Sequence, residues 1–378
     1  MKYMGSKRTM LTNGLGTVLR GQMTGVKQFA DLCAGSCSVS WFIAENFPST
    51  VVANDLQQYS AVLADAVLGR TEALDPKVIW KDWSARARAT IRKKSIYDDA
   101  TKFEKIKWAR ARRKNVTEAR ELCKASDGVI ARAYGGHYFS PLQALVIDAL
   151  RQTLPTGAKF RDASLAALIT ATSRCAAAPG HTAQPFQPTR GAAKFLFEGW
   201  KRSVWRYTKS ALKQICSRHA KTVGKGRVGD AEELAGTLGA DALAFLDPPY
   251  SGVHYSRFYH VLETVARGTC EEVSGTGRYP PPKERPKSDF SVPTRSWEAL
   301  DRLLSILAKN GVRTIVTFPK EKTSNGLSAA IVERVAKKYF DVSKTQTNGR
   351  FSTLGGNKSN RKARIPAYEV ILTLSPRG

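Results

Sequence analysis

The chain has 378 residues, 42% hydrophobic and 24% charged, with 60 Lys and Arg against 32 Asp and Glu, a formal net charge of +28. These near-average apolar and charged fractions exclude wholesale disorder and a fibrous protein, and the length suits about two to three domains or one large domain with insertions. A charge of +28 calls for a polyanionic partner, nucleic acid first and an anionic membrane surface second.

No run approaches the roughly 18 apolar residues of a membrane helix, and Met1–Arg8 has no apolar run behind it of the kind a signal peptide needs. The cysteines, Cys33, Cys37, Cys123, Cys175, Cys216 and Cys270, are scattered. Reduced thiols in a cytoplasmic setting are therefore expected, not a disulfide framework. No second Cys/His pair stands at a zinc-ligand distance from Cys33 and Cys37, so no metal is expected.

The first strand is predicted within 27–34, ending at Asp31. A small-residue turn, Ala34-Gly35-Ser36-Cys37-Ser38, follows, and then an apolar run from Val39 to Phe47 with helical spacing. A second strand, Val51-Val52-Ala53, ends in Asn54-Asp55 and leads into a helix from Tyr59 to Leu68. These two units open a parallel α/β sheet. The character then changes. Residues 76–222 read as a mostly helical, basic insertion, with one long basic helix over 101–124, Ala/Leu-rich helix over 141–178, a loop through Pro185 and Pro188, and a basic aromatic helix over 194–220. The α/β pattern returns at Ala242–Leu246, which runs into Asp247-Pro248-Pro249-Tyr250. An irregular segment at 267–294, a helix at 297–309, a strand at 313–318, a helix near 326–339 and two strands near 340–347 and 367–374 complete the chain. The expected domains are 1–75, a cofactor-binding half; 76–222, the insertion; and 223–378, a catalytic half with a basic late loop.

Asp247–Tyr250 is the sharpest signal. An exocyclic amine on a base is a poor nucleophile because its lone pair is delocalised into the ring. A carboxylate at Asp247 can accept one N–H. The Pro248 carbonyl, restricted by the following Pro249, can accept the other. Two acceptors push the nitrogen toward tetrahedral geometry, and Tyr250 offers a face for stacking. Such a site needs the base flipped out of a duplex. A simple strand-to-turn exit is the structural alternative. Asp31, Ala34 and Gly35 form the second signal. A glycine after a strand lets the backbone approach a ligand, and open α/β sheets bind ligands at the carboxyl ends of their strands. Asp55 stands where a carboxylate binds ribose hydroxyls, and equally where a helix takes an N-cap. Together the two loops favour a nucleoside cofactor.

These motifs resemble the D12, or Dam-like alpha, class of DNA adenine-N6 methyltransferases. The matching runs are Tyr3-Met4-Gly5-Ser6-Lys7-Arg8, Phe29 to Ser36, Asn54-Asp55 and Asp247–Tyr250, in that order. "DPPYSGVHYSRFYHVLETVA" and the late "AYEVILTL" are similar to a subfamily of these enzymes. Gly35-Ser36-Cys37 departs from the family, which usually has a second glycine there. The resemblance implies a Rossmann-like core, split by the helical insertion, that transfers a methyl group from S-adenosylmethionine to adenine N6 in double-stranded DNA. It leaves room for a cognate restriction enzyme or a phage-related system, and implies a nucleoid-associated cytoplasmic protein. By the resemblance, Tyr3 and Lys7 contact the methionine part of the cofactor, Asp31, Ala34 and Gly35 line its cleft, Asp55 takes the ribose, and Asp230 meets its adenine. A helix cap serves equally for Asp230. Asp247 borders the cofactor while Asp247, Pro248, Pro249 and Tyr250 form the catalytic motif.

The basic excess reads as a DNA footprint: Arg110, Arg112, Arg113 and Lys114 cluster in the insertion, and Lys358, Arg361, Lys362 and Arg364 in the late loop. A solvated helix face is the alternative for the first cluster. Tyr255 and Tyr259, four apart on an expected helix, share a face, either to fill the hole left by a flipped base or as a core pair. His260 reads as packing or a DNA-backbone contact. Two other functions keep part of this picture: a guanine-N2 methylase of ribosomal RNA, or a cytosine-N4 methylase of DNA, on the same motif, and a non-catalytic nucleic-acid binder on the same scaffold.

Overall fold

Seven strands form one sheet in the order β3-β2-β1-β4-β5-β7-β6 in the computed structural model, which describes residues 7–104, 113–352 and 364–377. They are β1 (Gln28–Asp31), β2 (Thr50–Asp55), β3 (Lys225–Val228), β4 (Ala242–Leu246), β5 (Arg313–Pro319), β6 (Phe340–Ser352) and β7 (Arg364–Pro376). β3, β2, β1, β4 and β5 run parallel, and β7 enters antiparallel between β5 and β6. This is the α/β, Rossmann-like core expected, with β1 in the middle of the five parallel strands and every carboxyl end of a parallel strand on one rim.

The central strands are apolar on both faces, as parallel strands covered by helices must be. Ala244, Leu246, Val316, Phe318, Val370 and Leu372 pack with Leu300, Leu303, Leu304 and Leu307 of the helix Ser296–Lys309 and with Val332 and Val335 of the helix Ala329–Ala336. Phe29, Leu243, Phe245 and Ile315, alternate in the same strands, are buried on the opposite face. The helices Ser38–Asn46 and Gln58–Leu68 follow β1 and β2 as expected. β3 was not expected: Lys-Gly-Arg-Val carries no apolar alternation because it is an edge strand, paired only with β2 and half-exposed.

The chain divides into two units. One holds the sheet: Met4–Glu72, His219–Ser256 and Pro286–Gly378. The other is helical: Ala73–Arg218 and Arg257–Arg285. The segment 257–285, which the sequence groups with the catalytic half, therefore packs with the helices. Its helix Ser256–Arg267 buries Val261, Leu262 and Val265 fully, and the Phe258 carbonyl accepts the Thr182 N–H and hydroxyl at 2.7 Å each.

Within the helical unit, two of the long helices expected from sequence are broken. Residues 141–178 form Pro141–Gln152 and Ala158–Cys175, interrupted at Pro155-Thr156-Gly157. Residues 194–220 form Ala193–Trp200 and Val204–Cys216, where the Ser203 side chain caps the second helix by accepting the Arg206 N–H. The expected basic helix over 101–124 is described as Tyr97–Glu104 and Arg113–Lys124, and 105–112 lie outside the described residues. Among the described residues, no helix is long and apolar enough to cross a membrane.

Candidate active site

Where β1 ends, the turn is held from β2. The Ala34 N–H donates to the Asn54 carbonyl at 2.8 Å, and the Gly35 N–H donates to Asp55 Oδ2 at 2.9 Å. Gly35 sits at φ +51, a conformation that favours glycine. Asp55 Oδ1 also accepts the Gln57 N–H at 3.0 Å, so the carboxylate ties the loop to the next helix. Asn54, fully buried, donates from Nδ2 to the carbonyls of Leu32 at 3.2 Å and Gly229 at 3.0 Å. It binds the ends of three strands, a role that the sequence motif Asn54-Asp55 did not assign to it. The departure at Cys37 has a physical counterpart. Cys37 is left-handed at φ +57, a conformation that costs a non-glycine residue of order 1 kcal/mol. Its thiol, buried, donates to the Ser60 carbonyl at 3.3 Å.

Asp31, at 1% exposure, accepts the Ser40 hydroxyl at 2.5 Å on Oδ2, while Oδ1 has no hydrogen-bond partner. Burial pushes its carboxyl up to about 7; the Ser40 bond opposes this, and the charges of Asp247 and Asp55 add to it. A buried carboxylate with an orphaned oxygen at the rim of the sheet is suited to a ligand that brings positive charge or a donor.

Asp247 follows β4 directly. Lys7 Nζ lies 2.9 Å from its Oδ1, the Thr317 hydroxyl from β5 donates to Oδ1 at 2.9 Å, and the Tyr250 hydroxyl donates to the same oxygen. Lys7 Nζ also donates to the Tyr250 hydroxyl, stands 4.9 Å from that ring's centroid, and pairs with Glu369 on β7 at 3.2 Å. Lys7 is 4% exposed. Burial works against its charge, but the Asp247 and Glu369 carboxylates outweigh that and hold its pKa above the usual lysine value. Burial, reinforced by Asp247, drives the Tyr250 phenol well above the usual tyrosine range. Two carboxylates thus neutralise Lys7 at the Asp-Pro-Pro-Tyr turn.

The Asp-Pro-Pro-Tyr turn is fixed from below by Asn325, at 0% exposure. Its Nδ2 donates to the Pro249 carbonyl at 2.7 Å and to that of Phe290 at 3.0 Å, while Oδ1 accepts from Thr323 at 2.6 Å and the Leu327 N–H at 3.2 Å. Nothing in its local sequence marks it. Glu369 did leave a signal, a lone acid in the apolar run Ala367–Leu374.

Other expected residues are more dispersed. Asp230 caps the helix Ala231–Ala235, its Oδ1 accepting the Glu232 N–H at 2.7 Å, which is the structural alternative given for it. Tyr255 and Tyr259 do not share a helix face. The helix starts at Ser256, so Tyr255 precedes it and lies in the sheet unit, where burial and the Asp247 charge raise its pKa. Tyr259, at 1% exposure, is core of the helical unit, so a DNA-contacting role for it is withdrawn. His260 is buried among the rings of Tyr134, Tyr138 and Tyr279, the packing reading. Arg113 and Lys114 are exposed, Lys114 at 86% with Glu118 at 3.8 Å. Tyr3, Arg110, Arg112, Lys358, Arg361 and Lys362 lie outside the described residues, as does the side chain of Arg364. Among the described residues no three His, Cys, Asp or Glu are grouped to hold a metal, and none of the six cysteines is in a disulfide.

A partly buried acid following β4, beside the Gly35 turn that β2 holds at the end of β1, is the arrangement that the resemblance implies. Residues 3–135 match the family described as D12 class N6 adenine-specific DNA methyltransferase. Over that span the chain is similar to this D12 class. The matched span holds Lys7, the Asp31–Gly35 turn and Asp55, and ends before Asp247. The chain is also similar to a protein named modification methylase LlaI from Lactococcus lactis subsp. lactis, 26% identical over 294 residues, which is 77% of this chain and 41% of that protein. The chain therefore spans about two fifths of the relative it matches. The likeness to the D12 class and the seven-stranded Rossmann-like sheet agree on the fold class.

Proposed function

We propose that this protein transfers a methyl group from S-adenosylmethionine to N6 of a flipped-out adenine in double-stranded DNA, as the modification partner of a restriction system. The observation that carries the reading is Asp247: a carboxylate at the end of β4, held by Thr317 and Tyr250, in a chain whose residues 3–135 match the D12 class. The relative's name, modification methylase, supports the restriction-modification setting.

The residues fit the cofactor. Asp31, with its orphaned Oδ1, and the Gly35 turn would hold it, and Asp55 would meet its ribose while fixing the turn. S-adenosylmethionine, when bound, supplies a methyl group on an activated sulfonium. The chain's own part is to bind, orient and exclude water. Asp247 accepts one N–H of the adenine amine and the Pro248 carbonyl the other, which turns the nitrogen lone pair outward. Tyr250 contributes a ring for stacking. Positioning of this kind supplies most of the catalysis when the donor is already activated. The charge of +28, with exposed groups such as Lys114, suits phosphate contacts that position DNA without reading its sequence.

The test uses purified protein, labelled S-adenosylmethionine and unmethylated plasmid, followed by nucleoside analysis. The expected product is N6-methyladenine, absent with Asp247→Ala. Label in ribosomal RNA and none in DNA would replace this reading with guanine-N2 methylation. Tight DNA binding with no label anywhere would replace it with a non-catalytic binder.

A further inference from the structure

A second buried carboxylate stands behind the catalytic one. Glu369 lies on β7 opposite Pro319 of β5, two residues along from Thr317, whose hydroxyl holds Asp247. Its oxygens are 3.2 and 3.3 Å from Lys7 Nζ, and Lys7 is in turn 2.9 Å from Asp247. All three groups are largely buried, at 4% exposure for Lys7, 7% for Glu369 and 16% for Asp247.

We propose that Glu369 is a positioning residue: it keeps the Lys7 ammonium charged and in place, so that Asp247 can turn from Lys7 to the amine of the target adenine. The inference rests on the role of Asp247 given above. A buried ammonium needs a counter-charge, and stripping it of one is severely unfavourable. Were Asp247 its only counter-ion, taking the amine would strand Lys7. With one ammonium between two carboxylates, Lys7 and Glu369 form a neutral pair, and Asp247 keeps the negative charge that draws the amine's N–H. The register agrees: the neighbouring strands β5 and β7 carry both supports, Thr317 on Asp247 and Glu369 on Lys7. Burial and the Asp247 charge raise the Glu369 pKa, and Lys7 opposes the rise, as expected for two acids sharing one cation.

The test is a double-mutant cycle on the full chain with plasmid DNA. Glu369→Gln keeps the shape and removes the charge. Its kcat should fall about tenfold to a hundredfold, the size of a hydrogen bond to a charged group. KM for DNA, S-adenosylmethionine binding measured by calorimetry, and the thermal midpoint should stay close to those of the unmodified protein. Glu369→Asp should restore part of the rate. Added to Lys7→Met, Glu369→Gln should cost nothing more, because the residue acts through Lys7. An unchanged kcat in Glu369→Gln, a loss confined to KM, or full additivity with Lys7→Met would overturn the proposal. If the glutamine variant does not fold, the aspartate variant carries the same split, with kcat lowered and KM kept. An unmodified protein that makes no N6-methyladenine would remove the reading of Asp247 itself; one that does, with Glu369→Gln unimpaired, removes the role of Glu369 alone.

Discussion

The helical unit and the sheet unit both bury ionisable groups, but they satisfy them differently. In the helical unit, Asp148 accepts the N–H groups of Ile130 and Ala131 at 2.9 Å each, and the His260 ring nitrogens face the carbonyls of Arg257 at 3.1 Å and Gly277 at 3.0 Å. Backbone partners do not move, so these residues serve the fold. In the sheet unit, Lys7, Asp247, Tyr250 and Glu369 satisfy one another through side chains. Such partners exchange by rotation about side-chain bonds. Burial and a displaced pKa mark both places, so neither identifies a site alone. What separates them is whether the partner can let go.

The contrast breaks if variants of the two kinds behave alike. The largest effect is expected from Asp247→Asn, which removes the charge and keeps the shape: N6-methyladenine formation should fall about a hundredfold or more, with thermal stability retained. His260→Gln should keep methylation within about twofold. Equal losses of activity in the two variants would erase the distinction.

Asp31 sharpens it. Its folded carboxyl is raised from the ordinary 3.8 to about 7, so the native state holds a proton that the unfolded chain releases. Stability should therefore fall as pH rises from about 4 to about 7 and stay low above that. Asp31→Asn removes this slope. Urea unfolding at pH 8 should find the variant about 2–4 kcal/mol more stable, with weaker S-adenosylmethionine binding. A variant that is no more stable at pH 8 than the unmodified protein would refute the assignment.

His260 has the opposite sign. Burial depresses it from 6.5 to about 4, although both carbonyls favour the protonated ring. The unfolded chain then binds more protons than the folded one between these values. Stability from this group is present above pH 6.5 and lost as pH falls through about 4. His260→Gln should flatten that acid limb and cost about 1–3 kcal/mol at pH 7 through imperfectly paired carbonyls. The smallest effect belongs to Lys114. Lys114→Ala should lower the slope of log affinity for DNA against log salt by about 1, equally for any sequence. An unchanged slope would return Lys114 to a solvated helix face.

Much of the fold was legible because its signals are local. β1, β2, β4 and β5 are short apolar runs that end in Asp31, Asn54-Asp55, Asp247 and Phe318-Pro319, and each fell where the pattern put it. The long helices were overextended because composition alone does not locate a break such as Pro155–Gly157 or the Ser203 cap. Tyr259 misled because a tyrosine reads the same in a core and on a surface. Asn325 left no trace, since a buried amide bonded to two carbonyls looks like any loop asparagine.

The sequence by itself determined the central strands, the glycine turn after β1, and the Asp-Pro-Pro-Tyr motif at the end of an apolar strand, because a turn and the strand before it are fixed by neighbours in the chain. Only the tertiary structure decided what holds Asp247. Lys7 and Tyr250 are 243 positions apart and Lys7 and Glu369 are 362 apart, and they meet because β7 enters the sheet beside β5. Contacts of that range depend on strand order, and no spacing along the chain encodes it.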